Sequence, residues 1–257
     1  MLKLKKNAYG QKQGSRIWFL YLTKILKQLK YKQSIFDECI FTKGKLIFFL
    51  YVDEGVFLCP DKYKMDDAVQ ELRDAKLEME DKGDLKDYLG LNFTYQKDGS
   101  IIMSQPQLID QIIKDNKLMA NFHPPSTPEA ASKLLQRDQQ AKSFNGSFHY
   151  RSLIGKLNYL DKGTRPDITY ATYQCARFFE YPREVHGKAV EYIVGYLKKT
   201  RNKGIVLKPD KNKSLEVYAD VDFSDNWNKE TSEFVASTVK SRTRFLILYA
   251  GSPMVWY

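Results

Sequence analysis

The 257-residue sequence is poor in the residues that build metal and disulfide frameworks. Its three cysteines are widely spaced and form no CxxC pair, and its three histidines share no ligand spacing. These absences argue against a structural zinc site and against a disulfide scaffold. Unpaired cysteines fit a reducing compartment, so we expect an intracellular protein, cytoplasmic or nuclear.

Long apolar runs are also lacking. The longest uncharged apolar run, residues 46–52, is far shorter than the roughly 20 residues that cross a bilayer. The first six residues, MLKLKK, lack the apolar core of a signal peptide. We therefore expect neither a signal peptide nor a transmembrane segment, and no membrane partner.

Acidic residues are scarce in the first 46 positions. This segment holds eleven lysines and arginines against only Asp37 and Glu38, an excess of nine out of the chain's net charge of +10. A local basic field of this size attracts polyanions, and nucleic acid is the favoured one. The alternative is a lysine-rich surface that simply faces water.

The most distinctive stretch is residues 51–55, with the sequence Tyr-Val-Asp-Glu-Gly. It lies between two apolar runs, 46–50 and 56–59, whose aromatic and β-branched residues predict two strands. We expect a hairpin with Asp-Glu-Gly as its turn. Two carboxylates at such a tip suit a divalent metal such as Mg²⁺, which prefers oxygen ligands. Turn acids that only face water are the alternative.

The rest of the pattern predicts an α+β protein. Helical periodicity indicates helices near residues 16–29, 61–79, 105–118, 148–161, 167–180 and 185–199. Runs rich in β-branched and aromatic residues indicate strands at 88–95, 101–103, 205–207, 215–221, 245–250 and 254–256. A proline-rich and then polar stretch, 123–147, is typical of a surface linker.

Short motifs along the whole chain resemble segments of Ty1/copia-type reverse transcriptases, in the same order. They are residues 4–13 (LKKNAYGQKQ), 16–18 (RIW), 36–41 (FDECIF), 51–54 (YVDE), 84–90 (DLKDYLG), 150–155 (YRSLIG), 164–168 (TRPDI) and 218–223 (YADVDF). The resemblance implies RNA-directed DNA synthesis. It also implies four regions: a partial palm and thumb start (1–122), the linker (123–147), a helical thumb or connection region (148–203) and the first strands of a truncated RNase H-like domain (204–257).

The resemblance also assigns site residues. Asp53 matches the first aspartate of the family's YVDD box, and Glu54 stands in place of the second, so both are candidate catalytic residues and Mg²⁺ ligands. Asp220 matches the first aspartate of the RNase H site. Contacts to an RNA or DNA template-primer are implied for Lys5, Lys6, Lys12, Gln13, Arg16, Tyr88 and Gly90. For the lysines, plain solvation is the alternative, and for Tyr88 and Gly90 a simple buried strand is equally favoured.

Two departures from the family pattern lead us to expect a chain that is inactive, or nearly so, on its own. The family's other palm aspartate precedes the segment with which this sequence starts. Glu54 places its carboxylate roughly 1.5 Å further out than aspartate would. Two other hypotheses are a non-enzymatic basic nucleic-acid-binding remnant and a decayed reading frame. The sequence leaves the oligomeric state open.

Overall fold

The computed structural model describes residues 10–117, 124–129, 135, 140–146, 148–222 and 241–257. The chain divides into two compact units, Met1–Leu85 and Lys86–Tyr257. This division lies upstream of the predicted linker at 123–147, part of which falls outside the described residues. The four predicted regions therefore stay a prediction.

Over its described residues, 10–85, the first unit is an antiparallel sheet with two helices. Its elements are α1 (Gly14–Gln28), β1 (Lys32–Gln33), β2 (Ile40–Lys43), β3 (Leu46–Tyr51), β4 (Glu54–Leu58) and α2 (Lys62–Asp74). The four strands form a meander in the order β1-β2-β3-β4. The side chain of Asp61 accepts a hydrogen bond from the Tyr63 backbone N–H at 3.0 Å and so caps the start of α2.

Alternation along β3 explains how this sheet acquires its core. Leu46, Phe48 and Leu50 are buried, whereas the residues between them are more exposed. The buried stripe of α1, which includes Leu22 and Leu26, belongs to the same apolar cluster. The predicted stripe of α1 and the predicted strands on either side of the hairpin are thus confirmed, and they position the hairpin tip. The helix predicted over residues 61–79 is shorter than expected, because it ends at Asp74.

The second unit combines a helical core with two antiparallel sheets. Its elements are β5 (Asp87–Tyr88), β6 (Leu91–Tyr95), β7 (Ile101–Ser104), α3 (Pro106–Asn116), α4 (Tyr150–Gly163), a 3₁₀ turn (Pro166–Ile168), α5 (Thr169–Ala176), α6 (Glu184–Lys199), β8 (Ile205–Leu207), β9 (Leu215–Asp222), β10 (Arg242–Tyr249) and β11 (Ser252–Trp256). The strand orders are β5-β6-β7-β8 and β11-β10-β9.

The helices of this unit enclose its main core. Leu157, Leu160, Ile168, Val194 and Leu197 are fully buried within one apolar cluster. The contacts that join the three-stranded sheet to these helices include a hydrogen bond and a cation–π contact. The Trp256 indole N–H donates to the Asp161 carbonyl at 2.9 Å, and the Arg244 guanidinium lies over the Tyr170 ring at 5.7 Å. The mixed architecture agrees with the predicted α+β class.

Two predictions about strands and turns were also wrong. Residues 88–95 are not one strand, because Leu89 and Gly90 both have positive φ (+51° and +78°) and form a two-residue turn between β5 and β6. At the other hairpin, Tyr51 pairs with Glu54, so the turn is Val52–Asp53 rather than Asp-Glu-Gly. Both errors concern where a strand ends, not whether it exists.

None of the helices in the described ranges combines the length and the apolar character that crossing a bilayer requires.

Candidate metal and nucleic-acid site

The hairpin of β3 and β4 is closely packed behind the turn that carries Asp53. Phe48 and Phe57, which pair across the strands, stack with ring centroids 4.5 Å apart. Gly55 lies beside this stack, and a Cβ at Gly55 would come within 2.6 Å of the Phe48 ring. Glycine is therefore needed here for space. The aromatic packing fixes the strand pair from which the tip projects.

The turn has a strained backbone and is held by a hydrogen bond from helix α1. Val52 has a φ of +52°, a region that β-branched residues rarely adopt. The indole N–H of Trp18, on α1, donates a hydrogen bond of 2.9 Å to the Val52 carbonyl. Such strain costs about 1–3 kcal/mol and persists only where the surroundings hold it. The Trp18 contact is one such restraint.

Asp53 and Glu54 occupy different positions at the tip. Asp53 is the second residue of the turn, whereas Glu54 is the first residue of β4, opposite Tyr51. Both acids are exposed. Mg²⁺ is usually bound through one or two carboxylates together with substrate phosphates, so these two residues fit one such ion. Within the described part of the chain, no group of three or more His, Cys, Asp or Glu residues is arranged to hold a metal.

The beginning of α1 carries the basic candidates of the first unit. Lys12, Gln13 and Arg16 are all exposed around the helix start, and the Gln13 side chain makes no capping hydrogen bond. The first N–H groups of a helix and its dipole attract anions, and nearby cations add to this effect. Lys5 and Lys6 lie outside the described residues.

Three other candidates belong to the second unit. Tyr88 ends β5 and Gly90 completes the tight turn that follows it, so the backbone is sharply bent at this point. Asp220 is exposed on β9, and its cross-strand neighbour on β10 is Arg244. The structure thus places Asp53 with Glu54 in one unit and these three residues in the other.

The structure also reveals a network of hydrogen bonds around the buried Arg165, within the motif at residues 164–168. Arg165 is 1% exposed, and its guanidinium makes two hydrogen bonds of 2.8 Å to the Asp167 carboxylate. It also donates to the Thr200 carbonyl and hydroxyl at the end of α6. Burial alone would raise the pKa of Asp167, but hydrogen bonds from Arg165 and Tyr196 hold that pKa below its ordinary value.

Trp18 is the residue of the site whose role sequence reasoning missed. The sequence places it in the apolar stripe of the predicted helix and in the RIW motif, and neither predicts a contact with the hairpin. The available signal was an indole donor four residues before the buried stripe of an amphipathic helix. Nothing in that pattern specifies which carbonyl the indole meets, since the contact spans 34 residues.

Comparison with known proteins identifies the family. The family described as reverse transcriptase (RNA-dependent DNA polymerase) matches residues 1–131, which is more than half of the chain. The chain belongs to this reverse transcriptase family. The recognition made from the short motifs is therefore confirmed.

Curated relatives of this reverse transcriptase chain extend the match to nearly all of it. The retrovirus-related Pol polyprotein from transposon RE1 of Arabidopsis thaliana is 30% identical over 99% of the chain, which spans 17% of that protein. The corresponding polyprotein from transposon TNT 1-94 of Nicotiana tabacum is 27% identical over 99% of the chain and 19% of its own length. A putative transposon Ty5-1 protein of Saccharomyces cerevisiae is 25% identical, covering 96% of the chain and 78% of that protein.

These relatives make the chain a copia-type Pol reverse transcriptase sequence that spans less than a fifth of the plant polyproteins. No solved structure matches it. Reverse transcriptases generally use divalent metals and bind a nucleic-acid template, which agrees with the chemistry of the hairpin tip and of the α1 start.

Proposed function

We propose that this chain is the part of a copia-type polymerase that presents the catalytic hairpin, and that Asp53 is its principal Mg²⁺ ligand. The observation that carries the proposal is the tip itself. Asp53 is exposed in a two-residue turn, and the preceding carbonyl is restrained by the Trp18 indole. A strained backbone held in this way is typical of functional positions.

The proposed roles follow the family resemblance. Bound Mg²⁺ would activate the primer hydroxyl and stabilise the leaving pyrophosphate in RNA-directed DNA synthesis. Asp53, with Glu54, would hold the ion. Phosphates of the template-primer would be bound by Lys5, Lys6, Lys12 and Arg16. Gln13 would lie beside the incoming nucleotide, and Tyr88 and Gly90 would contact the primer.

The assignment of regions is part of the same proposal. Residues 1–122 would be part of the palm and the start of the thumb, and residues 123–147 would be a linker. Residues 148–203 would form the helical thumb or connection region, and residues 204–257 would be the first strands of a truncated RNase H-like domain. An antiparallel three-stranded sheet with Asp220 on one outer strand supports the last assignment.

The chain by itself is expected to be inactive or nearly so, and Glu54 is the structural reason. Its carboxylate extends roughly one carbon–carbon bond, about 1.5 Å, beyond that of aspartate. Productive geometry in catalytic sites tolerates deviations of only about 0.5 Å. Because Glu54 is fixed in β4 by its pairing with Tyr51, the backbone cannot easily compensate.

A metal-binding experiment tests the role of Asp53 separately from activity. Calorimetric titration of the full chain with Mg²⁺ is expected to show binding that Asp53→Ala abolishes and that Glu54→Asp tightens. Asp66→Ala, which removes an exposed acid from α2 in the same unit, is the matched control and leaves binding unchanged. Equal binding by the chain and by Asp53→Ala would refute the assignment.

Primer extension tests the expected inactivity. With an RNA template, a DNA primer and Mg²⁺, the purified chain is expected to give no extension above the no-protein background. Extension that Asp53→Ala abolishes would overturn this expectation, and it would at the same time establish the polymerase function of the chain.

A second candidate function, non-enzymatic nucleic-acid binding, is favoured by the exposed basic start of α1. Binding of an RNA–DNA hybrid should weaken with salt, and the log–log slope should fall by about 0.9 for each phosphate contact removed. Neutralising Lys5, Lys6, Lys12 and Arg16 should reduce that slope. Lys62→Ala, at an exposed lysine of α2, is the control. Salt-independent binding would contradict this function.

A further inference from the structure

An apolar protrusion in the first unit has no role in the proposed polymerase chemistry. Ile35 and Phe36, in the loop between β1 and β2, are 91% and 94% exposed. The two residues that follow, Asp37 and Glu38, are exposed acids. We call residues 35–38 the acidic tip. Large apolar side chains that are exposed together, next to polar ones, are typical of contact surfaces.

The acidic tip is held in a fixed conformation. The Ser34 hydroxyl accepts a hydrogen bond from the Phe36 backbone N–H at 3.1 Å, and the Asp37 carboxylate accepts one from the Cys39 N–H at 2.8 Å. The Gln33 side chain donates to the Glu38 carbonyl at 2.9 Å. A contact made by a loop that is already ordered loses little conformational entropy. These hydrogen bonds therefore hold the loop in a conformation that keeps Phe36 exposed.

The charge of the tip selects its partner. Asp37 and Glu38 are the only acids in the first 46 residues. The two carboxylates act on the neighbouring Cys39 thiol. Burial raises the pKa of that thiol, and the charges of Asp37 and Glu38 raise it further. Nucleic-acid phosphates and anionic lipid headgroups would be repelled. The chemistry that fits is an apolar surface edged by lysines.

The same unit carries such a surface on α1. A groove of about 510 Å³ is lined by Leu20, Thr23, Lys24, Lys27 and Gln28. We call it the α1 groove. Leu20 is 55% exposed at its edge. The groove thus offers an apolar contact for Phe36 and two ammonium groups for the carboxylates of the tip, so the two surfaces are complementary in both hydrophobicity and charge.

We propose that the acidic tip of one chain docks into the α1 groove of a second copy of the same chain. Each copy has one tip and one groove, so a two-fold dimer makes the contact twice. Phe36 is the apolar anchor, and Asp37 and Glu38 pair with Lys24 and Lys27. This interaction goes beyond the polymerase assignment, because it uses neither Asp53 nor the start of α1.

Sedimentation of the full chain over a range of concentrations tests the proposal. We expect a reversible monomer–dimer equilibrium that Phe36→Ser weakens by at least about tenfold. Val217→Lys is the matched control, because Val217 is also an exposed apolar residue, 61% exposed on β9, but lies outside both surfaces. It leaves the dissociation constant unchanged.

Charge exchange makes the test specific. Lys24→Glu with Lys27→Glu should weaken dimerisation, and so should Asp37→Lys with Glu38→Lys, whereas the two exchanges combined should restore it to within about threefold. Such a rescue also demonstrates that the exchanged chains still fold. A chain that stays monomeric up to about 1 mM, the weak end of specific association, would overturn the proposal. The proposal would also be overturned if the combined exchange failed to restore dimerisation, or if the control variant Val217→Lys lost dimerisation while Phe36→Ser kept it.

Discussion

Replacing Asp161 with asparagine should stabilise the protein at neutral and alkaline pH. Asp161 lies near the end of α4 and is 3% exposed, and one of its carboxylate oxygens has no hydrogen-bond partner. Burial raises the pKa of Asp161 from the ordinary 3.8 to about 6, although the Lys162 N–H and ammonium lower it in part. An ionised carboxylate in this position is therefore a cost to the folded state.

The sign of the effect follows from proton linkage. The folded protein holds the Asp161 proton more tightly than the unfolded chain does, so this group favours folding at low pH. That contribution is fully present below about pH 4 and is lost as the pH rises through about 6. The difference corresponds to about 3 kcal/mol, at 1.36 kcal/mol for each factor of ten in proton affinity.

Asparagine keeps the shape of Asp161 but never ionises. A buried amide has its own desolvation cost, so Asp161→Asn is expected to raise the free energy of unfolding by about 1–2 kcal/mol at pH 8. At pH 4 the two proteins should differ little, because Asp161 is then protonated.

Urea denaturation followed by circular dichroism at the two pH values provides the measurement. Glu180→Gln is the matched control, because it removes the same charge from an exposed position and should change stability by less than about 0.5 kcal/mol. Equal destabilisation by Asp161→Asn at both pH values would refute the reasoning, since it would mean that the folded state relies on the carboxylate.

Two further substitutions test the backbone and the buried network. Arg165→Ala should lower the free energy of unfolding by about 2–3 kcal/mol, because the partly exposed Asp167 carboxylate loses two charge-assisted hydrogen bonds and the Thr200 carbonyl loses its donor. Arg165→Lys, which cannot make the paired hydrogen bonds, should recover less than half of this loss, and full recovery would contradict the network. Leu89→Asn should raise the melting temperature by stabilising the turn by about 1 kcal/mol, since asparagine tolerates positive φ better than leucine. A lower melting temperature would contradict that turn conformation.

The elements with strong periodicity could be predicted from the sequence. The buried stripe of α1, the apolar run of β3 and the Asp61 cap are local features, and all three are present. The turn of the hairpin was misplaced because Gly55 suggested a bend. In the structure, Gly55 lies within β4, and a larger residue does not fit there because the Phe48 ring occupies the space beside it. A glycine that leaves room for an aromatic ring cannot be distinguished by sequence from one that makes a turn.

The features that could not be predicted from the sequence depend on unusual backbone conformations or on long-range contacts. The turn at Leu89 was obscured because leucine extends an apolar run and normally avoids positive φ. The burial of Arg165 depends on Thr200, which is 35 residues away, and arginine is rarely fully buried without such partners. Of the candidate site, Asp53 and Glu54 could be located on a hairpin tip from the sequence, whereas the restraint from Trp18 required the fold.

The pairing of β7 with β8 has a consequence for how the chain is made. Ile101 pairs with Leu207, and the helices α3 to α6 lie between these strands in sequence. During translation at about 5–20 residues per second, β7 therefore waits roughly 5–20 s for its neighbour. Throughout that interval β7 is the open edge of the sheet, with the apolar residues 101–103 available to other strands, whereas afterwards the edge is the shorter, three-residue β8. We expect nascent chains that stop before β8 to aggregate more readily than chains that stop just after it, independently of their final stability.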